Sequence, residues 1–302
     1  MIELLKKTNL DFIGMRKYSF GISIFLAIVT IVSIAMHKGL NYGIDFTGGT
    51  LIQLKFNQRI SVSDARAILT KNAVECEIQD FPQQNSISIR VKGEEAGIAD
   101  KIQEIFKKEI PQNPYLLEKT EYVGPDVGKH LINQAFSALF WSFVGIIIYV
   151  AFRFKRGVWG AAGVLALIHD VFITVGLFSV INKEITITII AALLTIAGYS
   201  IMDTIVVYDR MREAMRLYRK ESLGEIINRS INETLSRTII TSLTVFMVLV
   251  ALFFFGGAVI HDFSFALLFG VVTGTYSSIF VAAPIVYEWE IRKDSRYRTG
   301  KK

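Results

Sequence analysis

Of the 302 residues, 52% are hydrophobic and the mean hydropathy is +0.42; the apolar residues gather into long runs, which excludes a soluble globular chain and indicates a multi-spanning membrane protein. The net charge of +6 is not a nucleic-acid footprint, because the basic residues cluster at the ends of the apolar runs. Cys76 is the only cysteine, so a disulfide framework within the chain is excluded and any domain outside the membrane must be held by its core.

Lys6, Lys7, Arg16 and Lys17 precede the first apolar run, 18–36. Ser33, Ile34 and Ala35 look like a signal-peptidase site. The run is longer than a signal's apolar stretch, however, and five further spans need an even total to keep the basic segments on one side, so a retained span is expected. Residues 41–50 then read N-Y-G-I-D-F-T-G-G-T. Gly48-Gly49 permits backbone angles that other residues avoid, and with Asp45 it forms a structural motif read as a tight turn into a strand over 51–56. The G-x-G-x-x-G spacing and the following helix of a phosphate loop are missing.

A helix is expected from Ser61, with Asp64, to 72. Strands over 74–80 and 86–91 follow, separated by a turn at Pro82. A second helix over 95–109 keeps Ile98, Ile102, Ile105 and Phe106 on one side, and a last strand covers 117–123. The order β-α-β-β-α-β is that of a ferredoxin-like split unit, expected as a small extracytoplasmic α+β domain over 37–133. Gly124, Pro125 and Gly128 then form a rigid linker back to the membrane, with Asp126 a solvated turn residue.

Five more spans are expected at 135–152, 158–181, 185–207, 239–257 and 263–286, making a six-span α-helical bundle. The segments 1–36, 153–156, 210–237 and 287–302 hold 20 of the 33 Lys and Arg residues, whereas the short loops 182–184 and 256–262 hold only Lys183. By the positive-inside rule both termini and the 210–237 loop lie in the cytoplasm. The intervening domain is nearly neutral, with 12 basic and 13 acidic residues. The chain therefore divides into 1–36 with span one, the domain 37–133, spans two to four over 134–209, a cytoplasmic segment 210–237, spans five and six over 238–287, and a basic tail 288–302.

The fourth span carries the costliest residue. Asp203 lies six residues, roughly 9 Å of helix rise, from the charged pair Asp209 and Arg210 that ends the run, still at hydrocarbon depth. Thr188, Thr195, Tyr199, Asp203 and Arg210 share one polar face, with Ser200 beside it. An ionisable group at that depth costs several kcal/mol unless paired or neutralised and reads as part of an ion or proton pathway; the plainer reading is a carboxylate capping a neighbouring helix's hydroxyls. His169 and Asp170 sit near the middle of the third span, either as relay groups facing Asp203 or as packing glue. They are too few for a metal site.

Within 210–237, Ile227, Ile231 and Leu235 repeat every four residues on a basic background, as in an amphipathic helix on the membrane surface. By spacing, Arg237 is an interfacial anchor or a partner of Glu233 more readily than a buried counter-ion. Gly270 and Gly274 allow close helix approach. No nucleophile triad, Walker loop or zinc spacing occurs, so neither an enzyme nor a cofactor is expected.

Four motifs, G-I-D-F-T-G-G-T at 43–50, V-G-P-D-V-G at 123–128, H-D-V at 169–171 and G-Y-S-I-M-D-T-I-V-V-Y-D-R-M-R-E at 198–213, fall in this order on this layout. Across essentially the whole chain it resembles the SecF family of translocase subunits, within the resistance-nodulation-division superfamily. The resemblance implies a bacterial inner-membrane protein that works with a SecD-like subunit beside the Sec translocon channel, in contact with lipid and with preproteins. It also implies use of the proton-motive force to draw preproteins outward. In the family pattern the carboxylate after Gly-Tyr-Ser and an arginine opening the fifth span serve proton movement; these match Asp203 and Arg237. Met202 departs from the pattern, where Asn is common, which puts in doubt any tuning of the carboxylate by a neighbouring amide. Na⁺ as coupling ion, a small-molecule or lipid exporter half, and a structural assembly factor are the alternatives.

Overall fold

The computed structural model describes residues 8–93, 97–154 and 157–299, without the side chains at 83, 258–259 and 294–299. Lys6, Lys7, the expected helix start at 95, Lys155, Arg156 and the end of the basic tail lie outside the described residues. The chain divides into two units. One holds residues 41–137 with the short stretch 184–187; the other holds the remaining helices.

In the first unit a single helical turn, α2 (Ile44–Thr47), precedes β1 (Gly49–Phe56); α3 (Val62–Lys71), β2 (Glu77–Phe81), β3 (Ser86–Val91), α4 (Ile98–Glu109) and β4 (Tyr115–Val123) follow. α2 was not expected, because four residues carry no readable periodicity. The sheet is antiparallel throughout, in the order β2-β3-β1-β4. Alternation places Ile52, Leu54 and Phe56 of β1 and Ile87 and Ile89 of β3 on one buried face, covered by Leu69 of α3 and Ile102 and Phe106 of α4. Ser61 caps α3 by accepting from the Asp64 N–H at 3.1 Å. Gly49 is required by its surroundings: φ is +140° and an added Cβ would stand 2.4 Å from the Val91 carbonyl. An added Cβ on Gly128 would stand 2.8 Å from the Phe46 carbonyl, so the two glycine motifs of the sequence meet each other.

The other unit is a helical bundle. α1 (Arg16–Met36), α5 (Pro125–Phe154), α6 (Gly157–Val180), α7 (Ile187–Leu217), α8 (Leu223–Phe255) and the continuous run 260–293 are six helices long and apolar enough to cross a membrane. That last run consists of α9 (Gly257–Ser277), one π turn (Ser278–Ala282) and α10 (Ala283–Thr299). Pro284 explains the π turn: it has no N–H, so the Phe280 carbonyl loses its helical donor and instead accepts from Ser19 Oγ at 3.1 Å. α6 packs closely on α1, where an added Cβ on Gly176 would overlap Thr30.

The separate surface helix expected within 210–237 is absent. α7 runs on to Leu217, and a capping box formed by Ser222 and Glu225 starts α8, which continues unbroken to Phe255. The apolar stripe Ile227, Ile231 and Leu235 is buried in the bundle core beside Tyr208 and Met211. Amphipathic spacing is the same whether the partner is lipid or protein, and here it is protein.

Candidate functional site

Four elements of the bundle bring polar groups together within otherwise apolar helices. α6 supplies Asp170, which is fully buried. Its Oδ1 lies 3.0 Å from His169 Nδ1, and its Oδ2 accepts from Ser200 Oγ of α7 at 2.5 Å and from Ser277 Oγ of α9 at 2.6 Å. Such a donor set suits an ionised carboxylate, since each hydroxyl donates toward it. The His169 ring lies beside that of Tyr276, with centroids 6.3 Å apart, and Tyr276 in turn hydrogen-bonds Ser23 and the Ser19 carbonyl of α1.

One turn along α7 from Ser200, Asp203 accepts from Thr238 Oγ1 of α8 at 2.7 Å through Oδ1. Its Oδ2 is buried and has no hydrogen-bond partner among the described residues. Arg237 itself is exposed and forms no ion pair with Asp203 in this arrangement, while Glu233, the alternative partner suggested by spacing, pairs with Arg210 at 2.5 Å. Ser278 Oγ lies 2.9 Å from Thr204 Oγ1 and 3.0 Å from the Gly274 carbonyl, which links the surroundings of Asp203 to α9.

Of the polar stripe read from sequence, Ser200 reaches Asp170 and Tyr199 donates to Ser242 of α8 at 3.0 Å. Thr195 bonds back to the Ala191 carbonyl and stays exposed. Thr238, Thr204, Ser277 and Ser278 were not singled out. A lone hydroxyl in an apolar helix leaves no periodic signal, since it satisfies itself on the preceding turn. Pro284, seven residues beyond Ser277, was the available clue to irregular backbone there.

The arrangement can hold protons and shift them between hydrogen-bonded oxygens. No group of three or more His, Cys, Asp or Glu residues able to hold a metal ion occurs among the described residues. In the other unit Asp45 accepts from the Ile187 N–H at 2.8 Å, and Gly48 (φ +74°) approaches Pro125 so closely that a Cβ would lie 3.0 Å from its Cα. The motif of Asp45, Gly48, Gly49, Gly124, Pro125 and Gly128 therefore shapes backbone within its own unit.

Comparison with known proteins places these features in a family. The family model described as "Protein export membrane protein SecD/SecF, C-terminal" matches residues 102–292, and "SecD/SecF GG Motif" matches residues 35–58. The protein translocase subunit SecF of Endomicrobium trichonymphae is 43% identical, with 98% of this chain and 96% of that protein covered. That of Magnetococcus marinus is 47% identical, covering 95% of this chain and 94% of the relative. The crystal structure of SecDF, a translocon-associated membrane protein from Thermus thermophilus, superposes with a TM-score of 0.85 at 37% identity over 94% of this chain. SecDF in its super-membrane-facing form gives 0.74 at 36% identity over 98%. The chain spans 39% and 41% of those two SecDF chains, about two-fifths of their length.

Proposed function

The chain belongs to the SecF family of protein translocase subunits, and from that premise we propose that it uses the proton-motive force, together with a SecD-like partner, to drive a late stage of preprotein export. The observation that carries this reading is the buried carboxylate pair: Asp170 with two hydroxyl donors and His169 against it, and Asp203 one turn beyond Ser200 with a buried oxygen left open. Uncompensated carboxylate oxygens at membrane depth are expensive and favour a group that takes up and releases a proton. Asp203 is the proton-carrying residue, Asp170 and His169 are relay groups, and Arg237 acts on Asp203 through its charge. The role is transport and not covalent catalysis, and it calls for no cofactor.

In this reading the chain sits in a bacterial inner membrane with both termini and the α7–α8 turn in the cytoplasm and the α+β unit outside, where it meets preprotein; the clustering of basic residues supports that orientation. The six helices contact lipid, the translocon channel and the SecD-like half. One charge crossing 100 mV releases about 2.3 kcal/mol, enough to bias a two-state change in helix packing but modest for moving a long segment, so repeated cycles are required.

Asp203→Asn tests the reading in vesicles that contain the SecD-like partner and the translocon. Late export should lose its sensitivity to an uncoupler while the complex still assembles. Normal uncoupler-sensitive export by the variant would remove Asp203 from the mechanism and favour a structural role. Replacing the proton gradient by a sodium gradient identifies the ion.

A further inference from the structure

The apolar run of α7 ends at Asp209, and the helix continues as D-R-M-R-E-A-M-R-L to Leu217. Spacings of three and four residues put Asp209, Arg212 and Arg216 on one side of it. With Glu213 and Leu217 of α7 and Arg153 at the end of α5, these side chains line an open cavity of about 300 Å³. Both carboxylates in the lining already have a partner: Asp209 pairs with Arg153 at 2.5 Å, and Glu213 with Arg210, which stands outside the cavity, at 2.6 Å. Arg212 and Arg216 form no ion pair among the described residues. Two like charges one turn apart on a helix repel each other. Arg153 has five N–H donors, more than one carboxylate occupies. The cavity therefore presents guanidinium groups whose counter-charge is missing from the chain's own described side chains.

We propose that this cavity binds the phosphodiester headgroup of an anionic phospholipid, held by Arg212 and Arg216 with Arg153 beside them. Guanidinium groups take phosphate oxygens through paired N–H donors, and a basic pocket between spanning helices suits an anionic headgroup. Depth favours a lipid over a soluble phosphate. Arg212 and Arg216 stand about 4–5 Å and about 10–11 Å beyond Asp209 along the axis, and the polar layer between hydrocarbon and water is about 5–8 Å deep. Helical side chains lean toward the N-terminus, which here brings both arginines back toward that layer.

The surface on the apolar side of the cavity fits an acyl chain. Tyr149, one turn before Arg153 on the same face of α5, is exposed, and so is Phe152. A lipid whose phosphate sits among the arginines would lay its chains along these rings, whereas a soluble anion gains nothing from them. The site does not depend on the proton-carrying reading of Asp203, and its test measures binding without transport.

The experiment is native mass spectrometry of the full chain in mild detergent, with phosphatidylglycerol or phosphatidylcholine of the same acyl chains added in steps. The unsubstituted chain should hold one phosphatidylglycerol about tenfold or more tighter than phosphatidylcholine, and excess inorganic phosphate should not displace it. Arg212→Gln combined with Arg216→Gln should abolish the preference. Arg219→Gln combined with Lys220→Gln, which removes the same charge from exposed positions outside the cavity, should keep it. Without added lipid the two double variants should unfold at the same temperature, so that loss of the site is separated from loss of the fold. Equal loss of preference in both variants would mean diffuse attraction to the basic end of the bundle. Displacement by inorganic phosphate would mean that a soluble anion is the occupant, and a lower unfolding midpoint for the 212/216 variant would make those arginines structural. Each of these results, or no preference in the unsubstituted chain, overturns the proposal.

Discussion

Arg90 of β3 forms an ion pair with Glu184, which is only 8% exposed. Burial pushes the Glu184 carboxyl up to about 7; the Arg90 charge opposes the rise, and a hydrogen bond shared with Glu77 of β2 adds to it. Burial acts in the same direction on Glu77, but the Lys92 ammonium and the bond to Glu184 together hold Glu77 below its ordinary value. The pair therefore keeps its proton on Glu184. A carboxyl whose folded value is raised contributes stability that is fully present below about 4.5 and lost as pH rises through about 7. The loss is on the order of 3 kcal/mol. Thermal unfolding followed from pH 5 to pH 8 should show this decline, and Glu184→Gln, which stays neutral, should flatten it. An unchanged slope in the variant would assign the pH dependence to other groups.

Gly49→Ala should be among the most damaging small substitutions in the α+β unit. It adds a Cβ 2.4 Å from the Val91 carbonyl at a φ of +140°, so backbone must move on both sides of the β1–β3 pair. A cost of about 2–4 kcal/mol is expected from strain and overlap together. Gly93→Ala, at a φ of +109° with no atom within 4 Å of the added Cβ, is the control for backbone strain alone. The difference between their denaturation midpoints measures the overlap.

Tyr208 is fully buried against Phe154 and Trp159, and its hydroxyl donates to the Ala282 carbonyl in the π turn at 3.2 Å. Tyr208→Phe keeps the ring and leaves that carbonyl without its side-chain donor, at a cost of about 1–2 kcal/mol. Tyr208→Ala also opens a cavity and should cost about 3–5 kcal/mol. Unfolding of the purified chain in mild detergent would separate the two variants.

Asn228 and Asn232 of α8 hold the segment that precedes α1. Their side chains accept from the Ile13 and Leu10 N–H groups at 2.9 and 3.0 Å, and Asn232 also donates to the Leu10 carbonyl at 2.9 Å. Replacing both with Ala should speed amide exchange at Leu10 and Ile13 by about tenfold or more, and leave the amides of α6 unchanged. Unaltered exchange at both positions would show that the burial of Phe12 alone holds the segment.

The spans and the four strands were readable because long apolar runs and period-two alternation depend on local spacing alone. The turn at Gly48-Gly49 was readable because few residues other than glycine occupy such angles. Asp203 stood out by its cost at membrane depth, and Ser200 by lying next to its stripe. The continuity of α7 and α8 beyond their apolar stretches was not readable, since a basic amphipathic pattern does not say whether it packs on lipid or on Tyr208 and Met211. Nor were Ser277 and Ser278, because their importance comes from neighbours on α6 and α7 that are distant in sequence. Arg237 was linked to Asp203 only through the family likeness; in the structure it is exposed and forms no ion pair with that carboxylate.

The unbroken length of α7 has a mechanical consequence. From Ile187 to Leu217 its 31 residues form one rod about 46 Å long, against a hydrocarbon layer of about 30 Å. Asp203 lies near its middle and Leu217 about 21 Å further along the axis. A tilt of about 5° pivoting at Asp203 carries the Leu217 end sideways by about 2 Å and moves Arg210, with its ion-paired Glu213, relative to Glu233 of α8. A tilt too small to see at the carboxylate is thus a displacement of about 2 Å where the rod leaves the hydrocarbon.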